Sequence, residues 1–170
     1  MREIQLTQNK TALVDDSDYN RLSGYHWTAF QHHRVWYASR YCPSTQKSIV
    51  MHHDILKPTF GLEVDHKDHN GLNNQRQNLR IATRSQNQQN REPHTLYANH
   101  PVSSRFKGVY WNRAAHKWHA QIVVQQKKMY LGLFDSEIEA AMAYDLAAQK
   151  YFGHFARLNQ YAKDANIKVS

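Results

Sequence analysis

The sequence predicts an α+β protein made of two small units. The first is strand-rich, and the second is a separate three-stranded antiparallel sheet packed on one helix. Three observations carry this prediction. Strand-like runs recur on both sides of a proline-marked break, and one capped helix with an alanine stripe stands near the C-terminal end. Between them lies a stretch so dense in Asn, Asp, His and Gln that it cannot supply a core. A chain of 170 residues, 41% of them hydrophobic, has room for one ordinary domain or two small ones, each burying a modest share of its surface.

In the first half, Thr11-Ala12-Leu13-Val14 reads as a strand and Asp15-Asp16-Ser17-Asp18 as a turn or helix start. The run from Arg34 to Tyr41 is rich in strand formers and is closed by Pro43-Ser44; Lys47 to Met51 pairs back on it as a hairpin. His52 to Leu56 starts a short helix before Pro58. The expected boundaries are a first domain over 1–91 (a strand-rich part, 1–60, then a polar segment, 61–91), a linker over 92–103, a second domain over 104–160 and a tail over 161–170.

The second domain opens with three strands, Phe106 to Asn112, Lys117 to Gln125 and Lys128 to Phe134. Ala114-Ala115-His116 and Gln126-Lys127 form the turns. In the middle strand Trp118, Ala120, Ile122 and Val124 alternate with Lys117, His119, Gln121 and Val123, the period of a half-buried strand with one face free. Ser136-Glu137-Ile138-Glu139 is a capping box. Ala140, Ala141, Tyr144, Ala147, Ala148 and Tyr151 form the buried stripe of the helix, and Gly153 stops it. Trp111, Trp118, Phe134 and Tyr144 are expected in the core.

Lys and Arg number 22 against 14 Asp and Glu, for a net charge of +8 and an isoelectric point near 9.6. Such an excess favours polyanions, because neutralised phosphates release counterions. Cys42 is the only cysteine, which excludes an intrachain disulfide or a Cys-clustered zinc site. The N-terminal residues lack the apolar core of a signal peptide, and no run approaches membrane-spanning length. The expectation is a soluble cytoplasmic protein that does not engage a membrane.

The polar segment holds the chemistry. Leu62 to His66 reads as a strand delivering Asp65 and His66, with a loop marked by Asn70-Gly71 after it. Leu79 to Ala82 returns as a strand, and Thr83 caps a helix that runs past Asn87. Hydrolysis of a phosphodiester needs an activated water, a stabilised phosphorane and a neutralised leaving oxygen. A neutral His takes a proton near neutral pH. Asp65 and the amide oxygen of Asn87 would form a sparse oxygen site for a hard divalent cation, and a second Asn would fix the His tautomer. The alternative for a segment so rich in Asn and Asp is a capped structural loop.

Val64-Asp65-His66, the Asn73-Asn74 pair, Asn78-Leu79-Arg80 and Ser85-Gln86-Asn87 resemble the HNH endonuclease motif. The variant is the one common in phage and intron-borne homing endonucleases, in which Asn replaces the last His. The resemblance covers residues 49–90 and reaches loosely into the N-terminal strands. It implies a ββα-metal fold with one Mg²⁺ or Mn²⁺ per active site. His66 and Asn78 are the implied catalytic pair, His66 as general base and Asn78 orienting it, and Asp65 and Asn87 are the implied metal ligands. Two positions depart from the family: His69, where Gly is usual, and His53, where Arg is usual after the preceding His.

Arg105 to Trp111, Trp118 to Ile122, Leu131-Gly132-Leu133-Phe134-Asp135 and Ala140-Ala141-Met142-Ala143-Tyr144-Asp145 resemble the Apetala-two/ethylene-response-factor DNA-binding domain over residues 104–159. In that family the open sheet face enters the major groove. Strand alternation places Lys107, Tyr110, Asn112, His119, Gln121, Val123, Lys128 and Tyr130 on that face here, where the plant-type domains carry several Arg. Lys127 and Lys128 suit phosphate contacts. The combined expectation is a site-preferring endonuclease that nicks or cuts double-stranded DNA, as a monomer or a DNA-induced dimer with no obligatory protein partner. Two other readings stay open: a DNA-binding regulator with an inactive HNH scaffold, and an RNA-directed protein that stacks bases on Tyr110 and Tyr130.

Overall fold

The computed structural model describes residues 1–91, 96–97 and 100–161. The chain divides into two compact units, Met1–Gln88 and Gln89–Ser170. Both mix helices with small antiparallel sheets, which is the expected α+β class.

In the first unit β1 (Arg2–Gln5) pairs with β2 (Thr11–Val14), and α1 (Asp16–Ser23) follows. A three-stranded sheet of β3 (Thr28–His32), β4 (Val35–Cys42) and β5 (Lys47–Val50) leads into α2 (Met51–Leu56). Then β6 (Leu62–His66) pairs with β7 (Leu79–Thr83), and α3 (Arg84–Gln89) follows. Sequence patterning did not mark β1 or β3, since each is short and half exposed. Ile4, Val14, Leu22, Trp27, Met51, Ile55, Val64 and Leu79 belong to one core, so the polar β6–β7 ribbon is anchored on the strands before it. Burying such side chains stabilises by roughly 1.5–3 kcal/mol each.

Charged groups add a second anchor. Asp18 is 3% exposed and accepts from Arg76 Nε at 2.7 Å. The Asp15 carboxylate accepts the Arg76 backbone N–H at 2.7 Å. Both tie the loop before β7 to α1. With the Arg76 and Arg21 guanidiniums outweighing the cost of its burial, the Asp18 carboxyl lies below the usual carboxylate range.

Part of the expected linker, 92–95 and 98–99, lies outside the described residues, as does 162–170 of the expected tail. Two-residue strands β8 (Leu96–Tyr97) and β9 (His100–Pro101) pair within the linker region. Ser103 and Ser104 already serve the second unit: Ser104 Oγ donates to Glu137, and Ser103 Oγ accepts from Trp111 N. Tyr161 is packed in place, its hydroxyl donating to Asp145 at 2.5 Å and its ring 5.6 Å from Phe106.

The second unit orders β10 (Val109–Asn112), β11 (Lys117–Val124) and β12 (Lys127–Phe134) side by side. One face lies under α4 (Glu137–Phe152), capped by Ser136 Oγ on Ile138 N, and a 3-10 turn, Gly153–Phe155, follows. Ala140, Ala141 and Ala148 are fully buried, so the helix lies close on the sheet. Tyr151, expected in that stripe, is 40% exposed; Asp145 is buried instead, accepting from Asn159 and Tyr161. The expected first strand is shortened at Gly108, whose φ is +78° and whose missing Cβ leaves space filled by the Tyr144 ring. The turn between β11 and β12 falls one residue early, on Gln125 and Gln126, both at positive φ. Two-residue hairpin turns of that shape usually advertise themselves with Asn-Gly, and this one does not.

Candidate active site and nucleic-acid interface

β6 and β7 form a short ribbon in which Asp65 lies opposite Arg80 and His66 opposite Leu79. Side chains alternate along a strand, so Glu63 and Asp65 share one face, and Asp65 and His66 flank the strand's end. On the Glu63 face, Arg80 Nη2 sits 2.6 Å from Asp65 Oδ2, and both side chains are nearly buried. Asn87, carried by α3, donates its amide to Glu63 Oε2 at 2.6 Å. Thr83 caps α3: its Oγ1 accepts from Gln86 N, and Gln86 Oε1 accepts from Thr83 N in return. This cap fixes the start of the helix that presents Asn87.

The oxygens of Glu63, Asp65 and Asn87 are hard donors of the kind that suit Mg²⁺ or Mn²⁺. Among the described residues no three His, Cys, Asp or Glu side chains gather as a metal cage. By chemistry alone, these oxygens would suit a divalent cation that phosphate and water also ligate.

On the other side, His66 is 7% exposed. Its Nε2 lies 3.4 Å from Asn74 Oδ1, a long hydrogen bond. Burial pushes the imidazole below its ordinary pKa, while Asn74, Asp68 and Asp65 pull the other way. His52 crosses the His66 ring nearly at right angles at 4.8 Å, and Tyr37 lies 5.9 Å from His66 and 5.8 Å from His52. His52 is 8% exposed, and its Nδ1 has no hydrogen-bond partner among the described residues. Burial, with His66 and His53 adding like charge, lowers its pKa to about 3.

The loop between the strands is a web centred on Asp68. Its Oδ1 accepts from Asn70 N and Asn78 Nδ2, and its Oδ2 from Asn73 Nδ2. Asn78 Oδ1 accepts from Asp68 N, and Asn78 Nδ2 also donates to the Asn73 carbonyl. These bonds correct the expectation for Asn78: its amide is spent on the loop, and the amide at the His66 ring belongs to Asn74. Gly71 is required here, because a Cβ would collide with the Trp36 carbonyl and the Tyr37 ring. His69, at the position where the resembling family favours Gly, has φ +64°.

Of the expected interface residues, Tyr110, His119, Gln121, Val123, Lys128 and Tyr130 lie on the sheet face away from α4, by their pairing and alternation. Lys107 does not. It precedes β10, so strand alternation does not apply, and its ammonium donates to the carbonyls of Gln89 (2.5 Å) and Arg91 (2.8 Å). Burial, with Arg157 adding to it, lowers its pKa to about 8. Asn112 is at the strand end, but its Oδ1 accepts from Ala114 N and Ala115 N and so caps the turn. Leu133 joins the open face, because an irregularity in the β11–β12 pairing at Ala120/Gln121 sets it opposite His119. No sequence period announces that shift. Glu63 was legible in principle, two residues from Asp65 on a strand; His52 and Asn74 needed the tertiary contacts.

Comparison with known families matches residues 58–89 to the HNH endonuclease family and residues 104–154 to the AP2 domain; the class these two regions resemble is a nuclease-type segment joined to a DNA-binding module. Among similar proteins, an HNH endonuclease of Acanthamoeba polyphaga mimivirus is 36% identical over 97 residues, covering 57% of this chain and 46% of that protein. APETALA2-like protein 2 of Oryza sativa is 44% identical over 67 residues, covering 38% of this chain and 15% of that protein. An AP2-like ethylene-responsive transcription factor of Arabidopsis thaliana is 34% identical over 71 residues, covering 42% of this chain and 23% of that protein. The chain thus spans less than half the length of each of these relatives. Among the described residues no helix is long and apolar enough to cross a membrane.

Proposed function

We propose that the chain is a divalent-metal-dependent DNA endonuclease whose AP2-like sheet holds the HNH site over duplex DNA. One observation carries this reading. A buried imidazole with its Nε2 against an amide oxygen ends the same strand that presents Asp65, and Glu63 of that strand accepts from the amide of Asn87. Asn74 Oδ1 favours the tautomer with the proton on Nε2, which puts the basic lone pair of the ring on Nδ1. His66 takes a proton from water as the water oxygen bonds to phosphorus; the bond from phosphorus to the leaving oxygen breaks, and that oxygen is protonated from solvent. Glu63 orients Asn87 so that its amide oxygen, with Asp65, can hold a metal ion. When bound, Mg²⁺ or Mn²⁺ supplies positive charge to the phosphate and the leaving oxygen. Asn78 acts at one remove, by holding the Asp68 loop that places Asn74.

The Arg80 guanidinium on Asp65 supports a second reading, DNA binding without cleavage. Incubating supercoiled plasmid with the protein and Mg²⁺ or Mn²⁺ separates the two, with chelator as the control. The expected result is metal-dependent nicking or linearisation, abolished in His66→Ala while duplex affinity stays within about twofold. Undiminished cutting by that variant removes His66 as the base. No cutting by the unaltered protein with any divalent metal favours the binding-only reading.

A further inference from the structure

The face of the β10–β12 sheet away from α4 has a composition that speaks to sequence preference. Across its middle run Tyr110, His119 and, on β12, Leu133 and Tyr130. The Tyr110 and His119 rings stack at 4.4 Å, and Tyr130 meets His119 edge-on at 5.0 Å. Tyr110 is 38% exposed, Tyr130 63%, Val123 50% and Leu133 36%. Gln121 lies opposite Tyr130, and no hydrogen bond to another described residue engages its side-chain amide. The cations stand towards the ends of the strands. Arg113 is in the first turn, and Lys127 and Lys128 follow the second. Lys117 is 3.1 Å from Asp135. No Arg occupies a strand of this sheet.

The major groove shows few kinds of group. Guanine offers O6 and N7 to a bidentate Arg or Lys, adenine offers N7 and N6 to a bidentate Asn or Gln, and the thymine methyl is the one apolar group. This face has two Lys, one towards each end: Lys128, and Lys117, whose ammonium is paired with Asp135. The Asn112 amide oxygen is committed to its turn, which leaves Gln121 as the one amide poised for adenine. An exposed aromatic and aliphatic centre flanked by cations complements a methyl-lined groove between two phosphate backbones. A single-strand stacking platform needs open ring faces, and one face of Tyr110 is already covered by His119.

Resting on the reading of this unit as a duplex-DNA reader, we propose that its open sheet face selects A·T pairs. Tyr110, Tyr130, Val123 and Leu133 lie against thymine methyls, and Gln121 pairs with adenine. The preference is set by the side chains that this chain itself places on that face.

The test uses the full chain in chelator, so that binding is read without cleavage. Duplexes are selected from a randomised library, and the enriched duplex is remade with deoxyuridine for thymine, which removes only the methyl. The expected outcome is an A·T-rich core, an affinity loss on the order of tenfold on methyl removal, and a loss of similar order in Gln121→Ala. Tyr130→Ala should bind the thymine duplex several-fold more weakly and be nearly indifferent to the uracil exchange. Enrichment of G·C cores, or equal affinity for the uracil duplex, overturns the proposal while leaving a DNA-reading sheet in place. Failure to enrich any duplex, or tighter binding to single strands of the same sequence, overturns the duplex-reader reading itself and this proposal with it.

Discussion

The unit over Met1–Gln88 and the unit over Gln89–Ser170 hold their exposed chemistry by opposite means. In the first, the loop after β6 has almost no apolar content, and its shape comes from carboxylates and amides that bond to one another around Asp68. In the second, alanines on α4 bring the helix onto one sheet face, and the other face is left to side chains with few obligations. A web of hydrogen bonds is cooperative, and a lost member strands its partners. A packed sheet face lets each outer side chain be exchanged almost alone. The first unit should therefore be brittle to single substitutions and the second tolerant.

The largest expected effect sets Asn78 against Asn74. Asn78→Ala removes three bonds from a group that is 7% exposed, and should destabilise the first unit by roughly 2–4 kcal/mol. Asn74→Ala should cost less, about 1–2 kcal/mol, yet reduce kcat by at least tenfold with little change in KM, because it takes the amide oxygen away from His66 Nε2. Tyr130→Ala, on the exposed face of the second unit, should change stability by under about 0.5 kcal/mol. Urea unfolding and single-site cleavage kinetics read all three. If Asn78→Ala is as mild as Tyr130→Ala, the contrast between brittle and tolerant halves fails.

How much of this was legible in the sequence follows the same division. Periodicity located β11, β12 and α4 closely, since alternation and an alanine stripe are local signals of which face is buried. It missed Leu133 and the turn on Gln125 and Gln126, because a pairing irregularity and a positive-φ turn of two Gln leave no periodic trace. In the first unit, the resemblance marked Asp65, His66, Asn78 and Asn87 as the residues to watch. It could not say which amide of several faces which ring: Asn73, Asn74 and Asn78 are chemically alike, and their partners are set by how the loop closes over β2 and β4. That closure depends on Asp15, Asp18 and Leu13, some sixty residues earlier.

A medium effect concerns His52. A buried polar atom with no partner costs roughly 1–3 kcal/mol, so His52→Phe, which keeps a ring of similar size, should raise the stability of the first unit by about 1 kcal/mol. The substitution should also blunt its acid sensitivity. His52 titrates near 3 in the folded protein against 6.5 when unfolded. Below 6.5 the unfolded chain therefore binds a proton that the folded one refuses, and stability falls as pH drops from 6.5 towards 3. Asp18 works in a lower window. Its folded pKa is depressed, so its contribution is present above 3.8 and is lost only as pH falls further. Urea midpoints at pH 7.5 and 5 should differ less in His52→Phe than in the unaltered chain. An unchanged difference would show that His52 is not the group taking up the proton.

The smallest effect tests whether the loop's backbone or its side chains carry the shape. His69 sits at φ +64°, and its N–H donates to the His66 carbonyl at 3.1 Å. A left-handed conformation costs a non-glycine residue about 1 kcal/mol, although His tolerates it better than most. His69→Gly removes that strain but gives the unfolded chain more freedom, which costs about 0.5–1 kcal/mol. The two terms nearly cancel, and stability should stay within about 0.5 kcal/mol. Cancellation is the informative result: the backbone bond from His69 N to the His66 carbonyl then holds the turn, and the imidazole adds nothing measurable to the web around Asp68. A loss above about 1 kcal/mol would instead make the His69 side chain a member of that web, and the brittle half of the molecule one residue larger.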